Sequence, residues 1–228
     1  MNIVAFLSSL LLFTLTSGSL LYAEGRNNPP NFYVDTQFAF STVKSKMLLS
    51  NDTGTALRYG VGTFAGSDGQ IGFQLMNDSD TTTFALNSSA LSNIWQDTTI
   101  RYYMGPFYVG ALFTRAEIKA KNQGVDTIDA AGSGMGGGVG LLWPVGRGGS
   151  ISLDIATASI PKMKNSLPQE IAIGQRLDLD LGASVDITSR LLDFTFGYRT
   201  RTLGIKADAN YTENFYQTYV GLRMSFFF

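Results

Sequence analysis

The chain contains no cysteine and no histidine. Without cysteine there are no disulfides and no thiolate metal sites. Without histidine it lacks the side chain whose unperturbed pKa lies nearest neutrality, and with it the commonest general base. Charge is scarce. Asp, Glu, Lys and Arg make up 15% of the residues, where a soluble domain carries about 25%. The net charge is −1, and Lys and Arg form no cluster able to neutralise a run of phosphates, so nothing suggests a nucleic-acid partner. Long apolar runs are missing beyond the N-terminus. There, Ile3 to Leu15 is apolar except for Ser8, Ser9 and Thr14, which is shorter than the ~20 residues of a spanning helix. With Ser17, Gly18, Ser19 and Ala23 behind it, the stretch reads as a signal peptide over 1–23, removed on export.

What the chain does have is period-2 alternation, the mark of a strand with two unlike faces. In the clearest case Leu177, Leu179, Leu181, Ala183, Val185 and Ile187 share one face, while Asp178, Asp180, Gly182, Ser184 and Asp186 share the other. A soluble sandwich turns such an apolar face inward; a membrane barrel turns it towards lipid. Strands are expected at about 32–43, 55–64, 70–77, 95–104, 107–117, 133–143, 150–157, 174–187, 191–201 and 215–228. The connections between them then alternate short and long. The short ones are 65–69, 105–106, 144–149 and 188–190; the long ones are 44–54, 78–94, 118–132, 158–173 and 202–214. Ten strands is the reading and eight the alternative, because 78–94 leaves room for strand extensions in the second and third hairpins.

The last strand separates sandwich from barrel. Val220, Leu222, Met224, Phe226 and Phe228 lie on one face and Tyr219, Gly221, Arg223 and Ser225 on the other. Apolar surface of that kind on a soluble protein invites aggregation. The segment resembles the C-terminal signature of bacterial outer-membrane proteins, which the barrel assembly machinery reads during insertion. The pattern over 31–228 is similar to the small OmpA-like and OmpX-like barrels. The resemblance implies an all-β, closed antiparallel transmembrane barrel over 32–228 with short periplasmic turns and long extracellular loops, located in the bacterial outer membrane. Residues 24–31 would be a short periplasmic segment. Outer-membrane lipids and lipopolysaccharide would be its surroundings. Tyr102, Tyr103, Trp95, Trp143, Phe107 and Tyr108 fall near expected strand ends, where aromatic girdles sit.

Little in the chain suggests chemistry. The glycine run from Gly132 to Gly140 is followed by no Lys-Ser or Lys-Thr, so it is not a P-loop. Outer-membrane barrels that are enzymes depend on histidine, so the resemblance implies a non-enzymatic protein without a cofactor. A carboxylate pair among Asp178, Asp180 and Asp186 is the remaining catalytic option, and pairing with arginine is the preferred reading of those residues. By alternation, Asp35, Gln37, Arg58, Gln74, Arg101, Asp154, Asp178, Asp180, Asp186, Asp193, Arg199, Arg201 and Arg223 face the lumen. Unpaired charges there would be very costly, so a salt-bridged, filled interior is expected. The faces of 107–117 stay unassigned, because Phe107, Val109, Ala111 and Phe113 alternate while Tyr108 and Leu112 oppose them. Phe84, Leu86, Leu91 and Ile94, with Ile160, Met163 and Leu167, fall in long connections. They read first as loop packing and second as anchors for a surface ligand. Lys44, Lys46, Lys119, Lys121, Lys162 and Lys164 lie on the loop side, either as contacts for lipopolysaccharide phosphates or, with acids nearby, as a solvated rim. The expected role is therefore structural or surface-interactive, with a narrow channel or an adhesin as alternatives.

Overall fold

The computed structural model describes residues 32–45, 50–65, 71–86, 89–122, 125–145, 149–165, 170–188, 191–207 and 210–226. The expected signal peptide, the 24–31 segment and Phe228 lie outside them. All the elements are strands: β1 Phe32–Ser45, β2 Ser50–Ala65, β3 Ile71–Leu86, β4 Ser89–Met104, β5 Phe107–Asn122, β6 Val125–Val145, β7 Gly149–Asn165, β8 Ile171–Asp186, β9 Leu192–Lys206 and β10 Asn210–Phe226. Each pairs antiparallel with its neighbours in the chain. β1 also pairs with β10, Phe32 opposite Phe226 and Ser45 opposite Glu213, so the sheet closes as a ten-stranded barrel. Closure removes the edges that an open sheet would leave unpaired. It also excludes the sandwich and the eight-stranded alternative.

One end, here the lower, holds the start of β1, the end of β10 and the turn at Gly105–Pro106. Gly105 has φ 61°. A positive φ at the first of two loop residues is what a type II′ hairpin needs, and glycine adopts it without strain.

The strands are longer than their alternation suggested. Most residues expected in the long connections 44–54, 78–94, 118–132, 158–173 and 202–214 are strand, and the upper connections shrink to a few residues between Ser45 and Ser50, Leu86 and Ser89, Asn122 and Val125, Asn165 and Ile171, and Lys206 and Asn210. The extra length is therefore paired sheet. A 16-residue strand such as β4, rising ~3.3 Å per residue at ~40° tilt, spans about 40 Å, against an apolar band of about 25 Å.

The outer face accounts for the difference. Exposed large apolar side chains fill the lower part of the wall: Val34, Phe38 and Phe40 on β1, Val109 and Phe113 on β5, Leu177, Leu179, Leu181 and Val185 on β8, Val220, Leu222, Met224 and Phe226 on β10. Val125, at the upper tip, is the exception. Above this belt the outward positions turn polar, with Thr42 and Lys44 on β1, Arg115, Glu117 and Lys119 on β5, and Thr200 and Thr202 on β9.

The interior inverts at the same height. Inside the belt it is polar. Above the belt it becomes largely apolar, with Val43, Phe84, Leu91, Trp95, Ala116, Ile118, Ile128, Ile160, Met163, Ile173, Leu203, Ile205 and Phe215, and buried Asn93 and Glu213 are set among them beside Ile118 and Leu203. The lower half is thus apolar outside and polar inside, and the upper half is the reverse. Hydrocarbon outside demands the first arrangement and water outside demands the second.

β6 makes the tightest part of the wall. Its inward positions 132, 134, 136, 138 and 140 are all glycine. A Cβ at Gly134 or Gly136 would run into the backbone carbonyls of Ser159 or Thr157 on β7, and one at Gly140 into the Tyr108 ring. Here glycine permits a close approach of chain to chain.

Candidate functional site

The lumen is the one concentrated polar site among the described residues, and the strand register builds it. Inward positions on adjacent strands stand side by side, so Asp178 faces Arg201, Asp180 faces Arg199, and Asp193 faces Arg223. The pairing that follows is dense. Asp178 takes Arg176 at 2.5 Å and Arg201 at 3.0 Å. Arg176 also reaches across the barrel to Asp97 at 2.6 Å, and Thr114 donates to the same carboxylate at 2.6 Å. Asp180 takes Arg199 at 2.6 Å, Arg58 at 3.7 Å and the Tyr219 hydroxyl at 2.9 Å. Arg101 meets Asp154 at 2.6 Å, and Arg223 meets Asp35 at 2.8 Å.

Aromatic rings supply the second half of the network. The guanidinium carbons of Arg176 and Arg201 lie 4.6 and 4.9 Å from the Trp95 ring centroid. Arg101 stacks over Tyr108 at 4.3 Å, Arg199 over Tyr219 at 5.1 Å and Arg223 over Tyr33 at 5.0 Å. A cation desolvated over a ring face gains about 2 kcal/mol or more. Lower down, Tyr103 donates to Gln74 and Gln74 donates to Tyr33, both at 2.5 Å. Gln37 accepts from Arg199 at 3.1 Å.

The residues read as lumen-facing from alternation, Asp35, Arg58, Arg101, Asp154, Asp178, Asp180, Asp186, Asp193, Arg199, Arg201 and Arg223, all stand at inward register positions. Asp186 and Asp193 oppose each other at the lower rim. Alternation did not pick out Arg176, Asp97 or Trp95, which form the centre of the network. The signal was present, since Arg176 shares a face with Asp178 and Asp97 shares one with Arg101. The girdle reading needs correction for three residues. Trp95, Tyr103 and Tyr108 are buried inside the barrel, where arginine or tyrosine partners hold them. Phe107 and Trp143 do stand on the outward face. β5 is settled by the same register: Tyr108 and Leu112 point inward and Phe113 outward. Of the apolar residues expected in loops, Phe84, Leu91, Ile160 and Met163 are inward strand residues of the upper core. Leu167 and Phe228 lie outside the described residues.

Among the described residues, two small lumen cavities stand out, each of about 80 Å³. The upper one lies among Trp95, Asp97, Arg176, Asp178 and Asp180; the lower one among Tyr33, Gln74, Ser150, Tyr219 and Arg223. Arg101 and Tyr108 separate them and line both. Each has room for a few waters. Above the upper cavity the apolar core closes the bore. Among the described residues no group of three or more carboxylates is arranged to hold a metal ion. Asp178 and Asp180 are both engaged by arginine.

No family model and no curated relative matches the chain. Solved structures do show likenesses. Neisserial surface protein A is 14% identical, with a TM-score of 0.44 over 86% of this chain and 97% of its own. The β domain of the Bordetella autotransporter BrkA is 10% identical, with a TM-score of 0.48 over 86% and 100%. An outer-membrane channel from Pseudomonas putida F1 is 8% identical, with a TM-score of 0.49 over 89% and 98%. The fold is a closed antiparallel β-barrel. That assignment rests on the strand register and its closure.

Proposed function

We propose that the chain is an integral outer-membrane barrel that conducts nothing: a closed, non-enzymatic structural element holding a rigid collar above the membrane. The observation that carries this is the inversion of polarity halfway up the wall. The apolar belt supports a membrane location, and a closed barrel crosses a bilayer without unsatisfied backbone groups. The Arg–Asp network fills the bore at belt height, and the apolar core caps it. A hydrated ion would have to break buried ion pairs and then cross a largely apolar plug. The belt side is taken as the periplasmic end, because the two-residue Gly105–Pro106 turn lies there and outer-membrane barrels keep their short turns on the periplasmic side.

Fractionation with gel migration before and after boiling tests the location. A heat-modifiable band in the outer-membrane fraction is expected, and a soluble periplasmic band indifferent to boiling contradicts it. Liposomes containing the folded barrel are expected to retain an encapsulated monosaccharide as well as protein-free liposomes do. Rapid release contradicts closure.

A further inference from the structure

The outer wall of β9, β10, β1 and β2 carries a groove of about 520 Å³. It lies where the wall passes from apolar to polar. The register sets the outward residues of these strands in rows. The last wholly apolar row is Phe196, Val220, Phe38 and Leu57. The next holds Tyr198, Thr218, Phe40 and Thr55, and the one above it Thr200, Tyr216, Thr42 and Thr53. Short threonines set among three large rings leave the hollow. Phe40 is 68% exposed beside it.

Lys44 closes the upper rim, its ammonium 5.3 Å from the Tyr216 ring centroid. Among the described residues, no carboxylate occupies an outward position on any of these four strands. The opposite wall differs. There Arg115 bonds Glu117 at 3.2 Å, Lys162 lies 3.4 Å from Glu170, and Lys119 stands opposite Asp129. The outer face around the groove therefore offers cationic charge that its own wall does not answer, above a hydroxyl-rich hollow, above a lipid-facing apolar sheet.

We propose that this groove binds a phosphorylated saccharolipid of the lipid A type. A phosphate sits on Lys44, sugar hydroxyls pair with the threonine rows, and acyl chains lie down Phe38, Val220 and Phe196. The inference rests on the membrane reading above, because it takes the belt edge as the lipid–water boundary. A glycerophosphate headgroup presents fewer hydroxyls to the threonine rows, which favours the sugar.

The test is native mass spectrometry of the full chain, folded in detergent, with equimolar lipid A and phosphatidylglycerol. Lipid A is expected to be retained in preference. Lys44→Gln is expected to lower its occupancy about fivefold, the worth of one lysine near an anionic lipid surface. Thr42→Trp, which fills the hollow and leaves Lys44 in place, is expected to lower it too, and Lys162→Gln to leave it unchanged. Equal retention of the two lipids, preference for phosphatidylglycerol, or an equal loss with Lys162→Gln overturns the site. Each sample is also run on a gel with and without boiling. A heat-modifiable band alongside any of those outcomes overturns the site alone. A band indifferent to boiling overturns the membrane reading together with it.

Discussion

Arg176 shows how much one lumen residue holds. It bridges Asp97 and Asp178 from opposite sides of the bore and lies over Trp95. Removing one partner of a buried pair strands the other charge, at about 3–5 kcal/mol. Arg176→Met is therefore expected to lower unfolding stability in micelles by about that much. Arg176→Lys should rescue little, because one ammonium cannot reproduce the planar fork that serves two carboxylates. Denaturant titration of the three proteins checks this, and a Met variant within about 0.5 kcal/mol of the parent, the ordinary effect of a surface change, contradicts it. Outside the wall, Leu179→Arg places a charge in the apolar belt. A loss of about 2–4 kcal/mol is expected if that position lies near the bilayer midplane. The same change at Thr202, above the belt, should be near neutral in the same assay.

At the scale of the element, β6 is the strand whose sequence decides its packing. Gly136→Val puts a branched side chain against the β7 backbone at Thr157. Backbone cannot swing aside as a flexible side chain can, so the variant is expected to fold into liposomes with a much lower yield of the heat-modifiable form. Gly137 points outward, where a Cβ would press on one carbonyl oxygen at 3.0 Å, and Gly137→Ala should lose far less of that yield than Gly136→Val. Comparable folding of Gly136→Val and Gly137→Ala removes this account of the glycine row.

The elements also show what could be seen from residues alone. Leu177 to Ile187 was legible because its outward side chains are apolar and its inward ones polar along the whole run. The upper halves were not. On β5, Ala116, Ile118 and Ala120 point inward while Arg115, Glu117 and Lys119 point outward. Alternation continues there with its meaning reversed, and the charges make the segment look like loop. Trp95 was misplaced for a related reason. A tryptophan near an expected strand end suits a girdle, and only the register reveals the two arginines lying over its ring.

At the scale of the whole molecule, the barrel is two barrels of opposite polarity joined end to end. The lower one is built for hydrocarbon outside and the upper one for water. The join is the level at which ion pairs give way to Trp95, Phe84 and Leu91. Neither half seals the bore in the same way. The lower half does so by charges that satisfy one another, and the upper half by a cluster of buried, largely apolar side chains. The long hairpins thus extend the wall upward instead of ending in open loops.

A closed bore carries no current, which single-channel recording in a planar bilayer at 1 M KCl measures. High salt screens surface charge, so the reading reports the bore itself. A silent bilayer, despite heat-modifiable protein in the membrane, is the predicted result. Stable steps of nanosiemens size from the unaltered chain would mean that water and ions pass the Arg–Asp network and the apolar cap, and the closed-barrel account would fall.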